Sequence, residues 1–179
     1  MTFSDDTLNK ARLIRLLALD VDGVMTDGSL YFHGDGSESK SFNSLDGHGI
    51  KMLQASGVKV AIITGRRSTM VAQRAKALGI EILQQGREDK LVALKDIQQE
   101  LQLEWSQIAY CGDDLPDLSA IKTSGLGITV PNAPKYMQQH ADYCCQRAGG
   151  QGAVREITDM IMQAQGTLQD AIDHYLLAY

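Results

Sequence analysis

Cysteine is scarce in this chain of 179 residues: there are three, Cys111, Cys144 and Cys145, two of them adjacent. That spacing supports no disulfide framework, so the fold is expected to stand on its own core in a reducing compartment, the cytoplasm. Long apolar runs are also missing, since none approaches the roughly 20 residues that cross a bilayer. The opening Met-Thr-Phe-Ser-Asp-Asp has neither the basic start nor the apolar centre of a secretion signal. No basic stretch stands out and the net charge is −5, which argues against nucleic acid as a partner. Repeats, low-complexity tracts and linkers are absent. With 44% hydrophobic and 22% charged residues, the composition is that of one ordinary globular domain over 1–179, long enough for a full core.

What is present is an alternation of short apolar runs with amphipathic segments. Leu16 to Leu19 is an apolar run of strand length that stops at Asp20-Val-Asp22-Gly23. Further strands are expected at Val58–Ile63, Ile80–Leu83, Ile108–Cys111, Leu126–Val130 and an edge strand at Ala141–Cys144. Between them lie helical patterns at Asp46–Ser56, Ser68–Leu78, Asp89–Leu101, Pro116–Ile121 and Lys135–His140, then Ala153–Gln165. Such alternation predicts an α/β fold, a Rossmann-like doubly wound and mostly parallel sheet. The segment 28–42 carries Gly34-Asp35-Gly36 between aromatic residues and reads as an inserted β-hairpin, marginal alone and in want of a partner surface. A helical tail at 166–179 closes the chain.

In such a sheet the ligand crevice lies outside the carboxyl ends of the strands. Asp20 and Asp22 emerge there, and two adjacent carboxylates stay ionised only beside a cation or by sharing a proton. A polar turn is the plain alternative for Asp-Val-Asp-Gly. Other strand ends bring Thr64-Gly65-Arg66, followed by a helix start suited to an anion, and Gly112-Asp113-Asp114 with Asp117 one turn on. Lys90 opens a helix, where the dipole disfavours a cation unless an anion is near. Taken singly, Thr64 reads as a turn residue, Lys90 as a solvated lysine, and Asp114 and Asp117 as helix-start carboxylates. Together they form two acid clusters, a hydroxyl, a lysine and an anion-binding turn on one edge.

In this order and over nearly the whole chain, these residues resemble the four motifs of the haloacid dehalogenase superfamily of phosphotransferases. Asp-Val-Asp-Gly-Val at 20–24, the hairpin, Phe42-Asn43 with Asp46-Gly47, Ile-Ile-Thr-Gly-Arg at 62–66 and Arg-Ala-Gly-Gly-Gln-Gly-Ala-Val-Arg-Glu at 147–156 resemble, more narrowly, its 3-deoxy-D-manno-octulosonate 8-phosphate (KDO 8-phosphate) phosphatases. The resemblance implies a Mg²⁺-dependent monoester hydrolase that serves lipopolysaccharide precursor synthesis. Asp20 is then the nucleophile, forming an aspartyl-phosphate, and Asp22 the general acid and base. Thr64 and Lys90 bind the phosphoryl oxygens. Mg²⁺ falls to Asp20, Asp113 and the backbone carbonyl of Asp22, with Asp114 and Asp117 as supports for Lys90 or the metal's waters. Substrate-binding positions implied are Asp22, Asn43, Ser44, Leu45, Asp46, Gly47, Gly65, Arg66, Arg74 and Lys90. His33, His48, His140 and His174 have no ligand spacing.

The intervals between motifs leave room for the hairpin but for no cap domain, so something else must shield the site from water. A neighbouring subunit is the simplest cover, and the resemblance implies a homotetramer with sites completed by the C-terminal segment of the next chain. Gly149, Gly150 and Gly152 would let that segment approach a sugar closely, or else form a flexible loop. Two rival readings remain: a phosphatase of another acidic sugar such as a sialic-type 9-phosphate, and a phospho-acceptor receiver domain. Against the receiver stands Asp22, which would hydrolyse the phosphoaspartate that a receiver must keep.

Overall fold

The structure is a computed structural model and describes residues 3–177. Its strands, in chain order, are β1 (Leu16–Leu19), β2 (Tyr31–Phe32), β3 (Glu38–Ser39), β4 (Lys59–Thr64), β5 (Ile82–Gln85), β6 (Ile108–Cys111), β7 (Leu126–Thr129) and β8 (Tyr143–Cys144). Its helices are α1 (Asp5–Arg12), α2 (Ser44–Ala55), α3 (Thr69–Leu78), α4 (Lys90–Glu100), α5 (Leu118–Thr123), α6 (Lys135–Gln138), α7 (Ala153–Gln165) and α8 (Leu168–Leu177). Six strands pair in parallel in the order β5-β4-β1-β6-β7-β8. Parallel neighbours need crossover connections, which the intervening helices supply. Every residue of β1 is fully buried, which is why that strand is apolar without alternation.

The chain leaves β1 towards β4 on one side and later returns to β6 on the other, with Leu19 opposite both Ile62 and Cys111. Connections that part in this way open a crevice at the carboxyl ends of the central strands. The residues following β1 and β6 therefore meet at the middle of the sheet edge.

Element ends depart from the sequence pattern where caps decide. α2 begins at Ser44, ahead of the expected Asp46, because Asn43 caps it through Oδ1 to the Leu45 amide at 2.8 Å. β5 begins later than expected because Ile80 completes the turn after α3, its amide donating to the Ala75 carbonyl at 2.9 Å. Pro116 lies in a 3₁₀ turn over Leu115–Asp117, and α5 starts only after it. The hairpin forms as a separate two-stranded sheet, Tyr31 opposite Ser39 and Phe32 opposite Glu38. Leu30, Tyr31 and Phe32 on it are exposed. Of the tail at 166–179, residues 168–177 form α8, and Ala178 and Tyr179 lie outside the described residues.

Candidate active site

The Asp20 amide extends the β1 ladder by one bond, donating to the Cys111 carbonyl at 3.0 Å, so its side chain emerges from the centre of the sheet edge. Lys90, the first residue of α4, is buried behind it. Its Nζ donates to Asp20 Oδ1 at 2.6 Å and to the Ile63 carbonyl at 2.8 Å, and lies 3.4 Å from Asp117 Oδ1. Two carboxylates thus answer for a cation at the dipole-disfavoured end of a helix. Asp117 is itself fully engaged: Oδ1 accepts the Tyr110 hydroxyl at 2.6 Å, and Oδ2 accepts the amides of Asp113 at 3.1 Å and Asp114 at 3.3 Å. It ties the loop after β6 to the core and presents Asp113 to Asp20.

Gly23 makes that approach possible. Its φ of +86° suits a residue without a side chain, and a Cβ there would stand 2.0 Å from Asp113 Oδ2. Beneath the same loop lies Gly149, where a Cβ would stand 1.8 Å from the Gly23 carbonyl oxygen. The Gly149 and Gly150 amides bond to Asn132 Oδ1 and the Val24 carbonyl at 2.8 and 3.0 Å. In this chain those glycines buttress the loop after β1; their close approach is to backbone of the same molecule.

Asp20, Asp22, Thr64, Gly65, Arg66, Lys90, Asp113, Asp114 and Asp117 all line one cleft of about 310 Å³. The remaining residues singled out from the sequence lie elsewhere. Asn43 to Gly47 form the cap and first turn of α2, where Ser44 and Leu45 are exposed and Asn43 Nδ2 donates to the Gly150 carbonyl at 3.1 Å. Asp46 is buried, and its Oδ1 accepts the Arg155 amide at 2.8 Å in the first turn of α7. Arg74 donates to the Asn43 carbonyl at 3.0 Å, stacks 5.6 Å over Phe42 and covers Gly47. These groups join α2 to α3 and α7. Asp114 Oδ1 accepts the Leu115 amide at 2.8 Å and the Tyr136 hydroxyl at 3.3 Å, on the solvent side, while the contact with Lys90 belongs to Asp117. The start of α3 adds nothing to the cleft lining, and the Ser68 amide is taken by Gln85 Oε1 at 2.7 Å. On that side the cleft is lined by Thr64, Gly65 and Arg66.

Charged groups missed from the sequence include Glu88, which also lines the cleft, and Lys40. Lys40, just past β3, forms an ion pair with Asp22 Oδ1, and its side chain is only 2% exposed. Arg66 Nε lies 3.9 Å from Asp22 Oδ2, and Arg66 also reaches Glu38 at 3.5 Å and stacks 5.9 Å over Phe32. A period of two was there to be read: Ser37, Ser39 and Ser41 are exposed, while Glu38, Lys40 and Phe42, which alternate with them, are more covered.

Burial pushes the Asp20 carboxyl up to about 6, with Asp117 adding to the rise and Lys90 opposing it. Burial likewise pushes Asp113 up to about 7, helped by the charges of Asp20, Asp117 and Asp114. Asp20, Asp113 and Asp117 each place a carboxylate oxygen within 4.8 Å of the others. Three acids facing one lysine leave a deficit of positive charge, and an all-oxygen donor set fits Mg²⁺. With Asp117 committed to Tyr110 and two amides, Asp20 and Asp113 are the carboxylates free to bind.

A family profile described as haloacid dehalogenase-like hydrolase matches residues 80–157, which include Lys90 and the Asp113–Asp117 turn. A relative from Escherichia coli K12, the 3-deoxy-D-manno-octulosonate 8-phosphate phosphatase KdsC, is 45% identical over 94% of this chain and 89% of its own. Among solved structures, a probable YrbI family phosphatase from Pseudomonas syringae matches with a TM-score of 0.97 and 53% identity, over 98% of this chain and 100% of that one. The KDO 8-phosphate phosphatase of Moraxella catarrhalis, solved with a magnesium ion, a phosphate ion and KDO, matches with a TM-score of 0.95 and 43% identity, over 97% and 99%.

Proposed function

The chain belongs to the haloacid dehalogenase-like hydrolases, and from that premise we propose that it hydrolyses KDO 8-phosphate to KDO and inorganic phosphate. The observation that carries the reading is the Asp20–Lys90 contact at 2.6 Å with Asp113 beside it and Asp22 two residues on. Asp20 attacks phosphorus in line with the departing sugar oxygen; the P–O bond breaks and an aspartyl-phosphate forms. Asp22 gives its proton to the leaving alkoxide, then takes one from the water that attacks the aspartyl-phosphate, freeing phosphate and restoring Asp20. Lys90 and the Thr64 hydroxyl hold the transferring oxygens, and Lys90 keeps Asp20 aimed. Asp20, Asp113 and the Asp22 carbonyl would hold Mg²⁺, which offsets the negative charge of the phosphoryl group.

Arg66, at the rim of the cleft, is suited to the substrate carboxylate. We place the remaining substrate contacts at Asn43 to Gly47 and Arg74, reached through movement of the first turn of α2 or from a neighbouring copy. The chain acts as one domain, in the cytoplasm and as a homotetramer. The exposed Leu30, Tyr31 and Phe32 of the hairpin and the three free cysteines support this. Light scattering checks the assembly; a monomer at working concentration refutes it.

Phosphate release from KDO 8-phosphate, a sialic-type 9-phosphate and hexose phosphates, with Mg²⁺ and with a chelator, tests the function. Mg²⁺-dependent preference for KDO 8-phosphate is expected. Preference for the nine-carbon ester moves the substrate to that sugar, and a stable phospho-Asp20 without release makes the chain a receiver.

A further inference from the structure

Asp22 presents two oxygens to two cations. Oδ1 is taken by Lys40, whose side chain is buried and stays off the cleft lining, while Oδ2 points towards Arg66, which lines the cleft. An ammonium group buried at the base of a hairpin with two paired residues per strand costs desolvation free energy, which its direct partner Asp22 offsets, with the nearby charge of Glu38 adding attraction. Asp22 follows the end of β1 and precedes a glycine, so little in its own backbone neighbourhood restrains its carboxylate. A proton donor must nevertheless stand within hydrogen-bond reach of the leaving oxygen. Resting on the phosphatase reading above, we propose that Lys40 is a positioning residue for proton transfer: it grips Asp22 by Oδ1 so that Oδ2 faces the departing alkoxide. Lys40 meets no phosphate and acts through Asp22. The hairpin thereby becomes part of the chemistry as well as a surface feature.

The test is Lys40→Met in the full chain with Mg²⁺, read as kcat/KM on two substrates. That quantity reports events up to departure of the leaving group. The sugar alkoxide needs a proton to depart, whereas p-nitrophenolate does not. Loss of a positioned acid is expected to lower kcat/KM for KDO 8-phosphate, or for the sugar phosphate that the panel above selects, by about tenfold or more. For p-nitrophenyl phosphate the change is expected to stay within about threefold. Lys40→Arg, which keeps a cation, is expected to recover part of the difference. The ratio of the two substrates is insensitive to the folded fraction, since misfolding lowers both alike; should Lys40→Met not fold at all, Lys40→Gln carries the same ratio. Equal falls on both substrates, or none on the sugar phosphate, overturn the proposal. A wild-type chain that releases phosphate from neither overturns the phosphatase reading instead.

Discussion

Asp20 and Asp22 are two residues apart and live in different structures. Asp20 is held from the core: the β1 ladder fixes its backbone, Lys90 from α4 fixes its carboxylate, and Asp117 with Tyr110 fixes Lys90 in turn. Asp22 is held from outside, by Lys40 and Arg66 around a hairpin whose aromatic residues are exposed. In the mechanism proposed above, Asp20 attacks the same phosphorus in every turnover, and its support is buried and comes from several elements. In the same proposal Asp22 serves a leaving group and then a water, and its support comes from Lys40 at the end of a hairpin that pairs apart from the main sheet and from Arg66 past β4. One motif thus joins a rigid corner to an adjustable one.

The comparison breaks most visibly at the rigid corner. Asp20→Asn is expected to lower phosphate release from every ester by about 10⁴-fold or more while the protein still folds; substantial residual turnover would sink the nucleophile assignment. At the adjustable corner, Asp22→Asn is expected to cost about 10³-fold in kcat/KM on a sugar phosphate and far less on p-nitrophenyl phosphate. An equal loss on both would mean that the two carboxylates do not divide the work as their surroundings suggest. Tyr110→Phe removes a buried hydrogen bond to a charged acceptor. Denaturant titration should show about 2 kcal/mol of lost stability; no loss would make the support behind Lys90 less interlocked than its geometry.

The smallest effect concerns protons. Asp20 and Asp113 stand at about 6 and 7, above the ordinary carboxylate value. Between that value and about 7 the folded, metal-free protein binds more protons than the unfolded chain, so these two groups lower stability as pH rises through the window. Divalent metal needs both carboxylates ionised. The rise in melting temperature on adding Mg²⁺ should therefore be a few degrees larger at pH 8 than at pH 5.5. A pH-independent rise would show that the ion sits away from these acids.

Strand ends were readable because buried parallel strands are apolar throughout and stop abruptly. Asp20, Thr64, Lys90 and Asp113 fall on one edge by sequence pattern alone, with Lys90 marked by its unfavourable place at a helix start. Contacts made across long sequence separation were not readable. The stacking of Arg74 on Phe42 and the bond from the Arg155 amide of α7 to Asp46 could not be read from a one-dimensional pattern. Lys40 escaped because Ser-Glu-Ser-Lys-Ser has the composition of a solvated turn; only its alternation recorded that one side faces the body.

Gly149 meets no reacting atom, and by distance from the phosphorus it would be ranked as tolerant of change. Backbone clearance ranks it otherwise: a methyl group there would press into Gly23, on which the seat of Asp113 depends. The territory in which inheritance of this chemistry is constrained is therefore wider than the cleft. It reaches, through a glycine-to-glycine contact, a stretch far from Gly23 along the chain, where an ordinary replacement such as Gly149→Ala carries a penalty that no inspection of the substrate's surroundings would reveal.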